Sequence, residues 1–160
     1  LGEKKATEEC CRDALKEVEI ISNPFEVSII MLNAADLYLL AGKTDKAAEV
    51  LKAEKKIKIP ESAPATGDTT NEAKQHRRNG ILEHLAVLQV WASTPEAVRQ
   101  TIEEIDAGTE RDKAIGEVIK MFIILDDTQE AEKWLNDISD TALKNEMTEK
   151  VKTAVKNNQN

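Results

Sequence analysis

Ala34 to Leu51, AADLYLLAGKTDKAAEVL, reads as one complete helix–turn–helix unit. Its first half is apolar almost all round and ends at Gly42, a residue suited to the helix-terminating position that needs positive φ. Thr44-Asp45-Lys46-Ala47 then opens a second, more polar helical stretch. Similar four-residue openings return as Thr94-Pro95-Glu96-Ala97 and Thr128-Gln129-Glu130-Ala131, each after an apolar run and before an amphipathic one. A unit that recurs fixes the architecture ahead of any single-residue argument.

Ala97 follows Ala47 by 50 residues, Ala131 follows Ala97 by 34, and Ala14 precedes Ala47 by 33. A period of about 34 interrupted by an insertion of about 16 residues accounts for the long interval. The segment Lys58 to Thr70, KIPESAPATGDTT, lies where that insertion must be. The unit resembles the tetratricopeptide repeat: Ala35 and Tyr38 stand at the small and aromatic positions of the first helix, Gly42 at the turn, Ala47 at the small position of the second helix, and Pro60 one residue late. The units built on Ala97 and Ala131 keep the alanine, but place Leu85 and Ile119 where the family has a small residue and Ala92 and Asp126 where it favours glycine. The resemblance implies an all-α, short right-handed solenoid of about four helix pairs. It would form a single domain over residues 1–160, with a flexible insertion at about 58–70.

The apolar fraction of 41% and charged fraction of 32% are those of a water-exposed globular domain with a real core. Five aromatic residues and a net charge of −8 argue against a nucleic-acid partner, which is bound by clustered Lys and Arg and by stacking platforms. No run of 18 apolar residues predicts a transmembrane helix, so no membrane partner is expected. Cys10 and Cys11 are adjacent in a helical pattern where a mutual disulfide would be strained. Free thiols favour a reducing, cytoplasmic setting, with export after loss of a signal peptide as the alternative. The chain starts at Leu1 rather than Met, and its first helix aligns by Ala14 with the second helix of the later pairs. The expectation is therefore that the natural chain extends upstream or that this lone helix acts as a cap.

Along the chain, helices are expected at about Glu3–Ser22, Phe25–Ala41, Thr44–Lys56, Thr70–Ala92, from Thr94-Pro95 to a stop at Ala107-Gly108, from Thr109 through Leu125, over Gln129–Asp137, and at about Asp140–Lys156. Leu37 is assigned to the core stripe of the second helix, and Thr109 with Asp112 resembles a capping box. Trp91 and Trp134 could each anchor a partner, but Trp134 keeps helical register with Ala131, Leu135 and Ile138 and is read as core. Gly116 marks a close helix approach.

No catalytic, cofactor or metal signature emerges. His76 and His84 are eight apart and do not share a helix face, and acidic pairs are numerous because acids are numerous. Lys74, His76, Arg77 and Arg78 form the one basic cluster. Two functions stay open: a non-enzymatic module binding a protein or peptide partner, or an accessory or oligomerisation region of a longer enzyme or regulatory protein. In tetratricopeptide arrays the first helix of each pair lines the groove. Carried over by the alanine register, this implies Asn33, Asp36, Glu83, Glu117 and Lys120 as partner-binding residues, and a preference for a segment carrying Lys or Arg.

Overall fold

The structure, a computed structural model, describes residues 2–58 and 71–158. Their regular structure is helical: α1 Gly2–Glu17, α2 Pro24–Leu40, α3 Thr44–Glu54, α4 Asn71–Ala92, α5 Pro95–Glu103, α6 Thr109–Ile124, α7 Thr128–Trp134 and α8 Thr141–Asn158. Short 3-10 turns, Val18–Ile20 and Leu135–Asp137, continue α1 and α7. No strand occurs among the described residues, which bears out the all-α class. Apart from Lys58, the expected insertion lies outside the described residues.

Local chemistry explains most helix ends. Asn23 Oδ1 accepts from the Phe25 N–H at 3.1 Å, with Pro24 at the first helical position, so α2 starts from a side-chain cap. Thr94 caps α5 in the same way, its hydroxyl accepting from the Ala97 N–H, again ahead of a proline. The other two helices open where expected, at Thr44 and Thr128, but with different caps. No side-chain hydrogen bond caps α3 at Lys43, and α7 is capped by Asp127, whose Oδ1 accepts from the Glu130 N–H at 3.0 Å. At the ends of α2 and α6 the chain turns through left-handed residues, Gly42 at φ 72 and Asp126 at φ 66. In both turns an N–H reaches back across the last helical turn, Lys43 to the Tyr38 carbonyl and Asp127 to the Phe122 carbonyl, as in a Schellman motif.

Three readings of the sequence need correction. Asp112 does not close a capping box. Gly108 precedes α6 at φ 108, and the buried Asp112 carboxylate turns inward to accept from the Ser139 N–H, the Ser139 hydroxyl and the Asp140 N–H. α5 stops at Glu103 rather than near Ala107, and Ile105 is buried from the turn that follows. Leu37 sits on the exposed flank of α2 beside Ile29 and Leu40, because α2 is apolar on every side and its neighbours cover only part of it. Trp134 is core as expected, 1% exposed and stacked on Phe122. Gly116 faces Leu143 and Met147 of α8 with room for a methyl group in ordinary contact, so the approach there does not demand glycine.

Each helix packs only on elements one or two places away in the chain. Residue pairs give the directions. Phe25 meets Arg77 and Asp36 faces His84 across α2 and α4. His76 meets Glu110 and Glu83 faces Glu117 across α4 and α6. Gly116 meets Leu143 across α6 and α8, and Ile124 shares a groove with Ala154 further along both. Numbers rise together on both sides of every pair, so α2, α4, α6 and α8 run parallel.

Burial sets the register of the repeat, and it differs by one residue from the alanine register in the middle unit. The buried residues Ala47, Val50, Leu51 and Glu54 of α3 correspond to Val98, Thr101, Ile102 and Ile105, and then to Ala131, Trp134, half-buried Leu135 and Ile138. Val98 is fully buried while Ala97 is only half-buried. Moving the register from Ala97 to Val98 brings Ala86, not Leu85, opposite Ala35, and both are wholly buried. The same shift aligns Ser28, Asn79 and Asp112, a buried polar residue early in each first helix. Asn79 Nδ2 donates to Asp106 just past α5, and Asp112 holds Ser139 and Asp140 just past α7. Two apolar clusters result. α4 joins them, giving Ile81, Leu85 and Leu88 to the cluster with α1–α3 and Leu82, Ala86 and Val90 to the cluster with α5–α8.

Candidate functional site

Because α2, α4 and α6 run parallel, the residues each leaves uncovered form one continuous surface. On α2 this surface carries Asn33, Asp36 and Leu40, all exposed. On α4 it carries Glu83, His84 and Val87, half-buried, and exposed Trp91. On α6 it carries half-buried Glu117 and Lys120 and exposed Ile124. The five residues expected at a partner-binding face lie on α2, α4 and α6, and their mutual positions differ from those of the alanine register. With Val98 as reference, His84 is the counterpart of Asn33 and Glu117, and Val87 that of Asp36 and Lys120. Glu83 stands one residue round the helix, toward α6.

That displacement gives Glu83 its electrostatics. Burial pushes its carboxyl above the ordinary range, and the charges of Glu117 and Glu110 push it further, with Lys113 and His76 opposing. Lys120 does not relieve it, because its ammonium is paired with Glu117 Oε1 at 2.6 Å on its own helix. Across the α2/α4 boundary, burial lowers the His84 imidazole below its usual value while Asp36 pulls it partly back.

Sequence reading offered Trp91 as a possible anchor but missed Leu40 and Ile124, the rest of the apolar part of the face. Leu40, Trp91 and Ile124 are 76%, 41% and 64% exposed, and in the burial register they are counterparts near the C-terminal ends of three parallel helices. They stand in a row along one edge of the surface; one turn before them lie Asp36, Val87 and Lys120, and Glu83 and Glu117 lie about a turn further back. The alanine register puts buried Val90 opposite Leu40 and Ile124, which conceals the row. Beyond Ile124 the surface continues into an open groove of about 710 Å³ between α6 and α8, with Ile123, Ile124 and Ala154 among its lining and Lys120, Glu146 and Lys150 at its polar margin.

The other candidates separate. Arg77 lies over the Phe25 ring at 5.8 Å, His76 Nδ1 is 3.4 Å from Glu110, and Arg78 donates to the Glu104 carbonyl at 2.9 Å, so the basic cluster is dispersed around α4. Cys10 is exposed. Cys11 is buried with its thiol near the Ala34 carbonyl, and burial raises its pKa away from the reactive thiolate. Among the described residues no three His, Cys, Asp or Glu side chains gather as metal ligands, and no helix is long and apolar enough to cross a membrane. Compared with protein families, curated proteins and solved structures, the chain matches none.

Proposed function

We propose that the chain is a non-enzymatic protein-interaction module, a short tetratricopeptide-like right-handed stack whose first-helix face takes an extended segment of a partner protein. The observation that carries this reading is exposed Leu40, Trp91 and Ile124 at equivalent positions of three parallel helices, on a surface that also carries Asp36, Glu83 and Glu117 at positions nearer the helix starts. Large apolar side chains aligned at an exposed edge mark an interaction surface, and the three carboxylates on the same surface set its preference for a cationic partner. Packed helices lie about 8–10 Å apart, which an extended strand spans in about three residues. The fitting segment therefore places an apolar residue at about every third position, with Lys or Arg between.

The test is titration of a labelled Lys- and Leu-containing peptide of that pattern, followed by fluorescence anisotropy. Combined Asp36→Lys and Glu117→Lys substitution should weaken binding about tenfold or more, with little change in melting temperature because Asp36 is exposed and Glu117 gives up only a partly exposed pair with Lys120. Undiminished binding after both reversals, or loss only on neutralising Lys74, Arg77 and Arg78, contradicts the reading. The second reading, an accessory or oligomerisation region of a longer enzyme or regulator, is favoured by the same apolar row if it covers a second copy. Sedimentation velocity decides between them: a dimer dissociated by Trp91→Asp supports self-association, and a monomer supports the partner segment.

A further inference from the structure

Among the equivalent buried positions of the three helix pairs, one places a carboxylate where the others place isoleucine. Where the second and third pairs have Ile105 and Ile138, the first has Glu54, only 2% exposed. Its Oε2 makes no regular hydrogen bond among the described residues, and the Ser28 hydroxyl of α2, the group beside it that most favours its charged form, makes none either. The corresponding contacts of Asn79 with Asp106 and of Asp112 with Ser139 are made. An acid kept at an isoleucine position, buried and half-satisfied, costs stability and asks for a purpose.

Glu54 opens onto a cavity of about 330 Å³ between the ends of α3 and α5, on the side of α4 away from the Trp91 row. Ile57, Leu82 and Leu85 form its apolar wall, and Lys58 and Arg78 contribute positive charge. Lys55 and Glu104, also in the lining, compensate each other at 3.0 Å. On a chain of net −8 this is a locally cationic cavity.

We infer that this cavity binds a small monocarboxylate with a short apolar body, the carboxylate held by Arg78, Lys58 and Glu54 and the body resting on Ile57, Leu82 and Leu85. Burial pushes the Glu54 carboxyl up, with Ser28 and Lys55 opposing and Glu104 adding to the rise. The rise shifts Glu54 toward its acid form, and in that form its O–H donates to the bound carboxylate. Arg78 spends one N–H on the Glu104 carbonyl and keeps others for the ligand. This site is independent of the peptide-binding face, so either can fail alone.

The experiment is amide-resolved NMR titration of the full chain with isocaproate, and with isoamylamine as the probe of matched body and opposite charge. Isocaproate should give saturable shifts around residues 54–58 and 78–85, and the amine none. Arg78→Gln should weaken isocaproate about tenfold. Glu54→Ile, which restores the residue of the other pairs, should raise the melting temperature and weaken binding by about as much, while Glu54→Gln, which keeps an N–H donor, should stay within about threefold of the parent. Equal or tighter binding of the amine, no saturable shift in the folded protein, or affinity unchanged in both Arg78→Gln and Glu54→Ile overturns the assignment.

Discussion

Asp112 shows how one carboxylate holds two elements together. Burial raises its pKa, but the Ser139 hydroxyl and the N–H groups of Ser139 and Asp140 outweigh that and leave it below the usual range. A carboxylate depressed in the folded state stabilises fully above its unfolded pKa near 4, and that stabilisation is lost as pH falls through the folded value. Asp112→Ala should therefore cost about 3 kcal/mol at pH 7 by urea unfolding, since it strands donors at the α7–α8 junction. Its deficit should shrink as the acid limb is approached, and an equal deficit at all pH values would remove Asp112 as the cause. Trp134 makes a different case, with its ring against Phe122 and the Arg99 guanidinium and its Nε1–H buried without a partner among the described residues. Trp134→Ala should cost about 3 to 5 kcal/mol in chemical denaturation. Trp134→Phe should cost clearly less, because it also deletes an unsatisfied donor. Losses of equal size in the two variants would mean that the N–H is satisfied in solution.

At the scale of the element, the turns set the pairs, and the two left-handed turns are not equally occupied. Gly42 and Asp126 adopt the same conformation, but only glycine does so without steric cost. Gly42→Ala should destabilise by about 1 kcal/mol and Asp126→Gly should be neutral or stabilising by under about 1 kcal/mol, read as opposite shifts in thermal midpoint. A destabilised Asp126→Gly would show that the aspartate side chain outweighs its strained backbone. The helices, the Gly42 turn, the Thr94-Pro95 start and the buried Trp134 were legible in the sequence, because period, caps and prolines act locally. The register of the middle pair was not. Ala97 and Val98 both satisfy an apolar pattern, and a shift of one residue turns a helix by about 100°, enough to exchange Val90 for Trp91 at the exposed edge. Glu54 was hidden for a related reason: one acid among 30 carries no signal until its equivalence to Ile105 and Ile138 is known.

At the scale of the whole molecule, contacts confined to near neighbours, with alternate helices parallel, leave the first-helix face as one surface crossing three units. Its charge distribution is uneven, with the greatest carboxylate repulsion at Glu83, Glu117 and Glu110. A cation placed there relieves the repulsion that raises Glu83, so partner binding should tighten as Glu83 ionises and should slow in association as salt rises. The chain has two tryptophans, and they sort cleanly, Trp91 in the proposed contact row and Trp134 in the core. In a Trp134→Phe background Trp91 alone reports on that surface. The most direct measurement is the emission of this single tryptophan during titration with the Lys- and Leu-patterned peptide and with its Glu-for-Lys counterpart. The account predicts a saturable blue shift with the first peptide, weakened about tenfold by Asp36→Lys with Glu117→Lys, and none with the second. Emission that stays constant through saturating peptide, or shifts equally for both peptides, would contradict it.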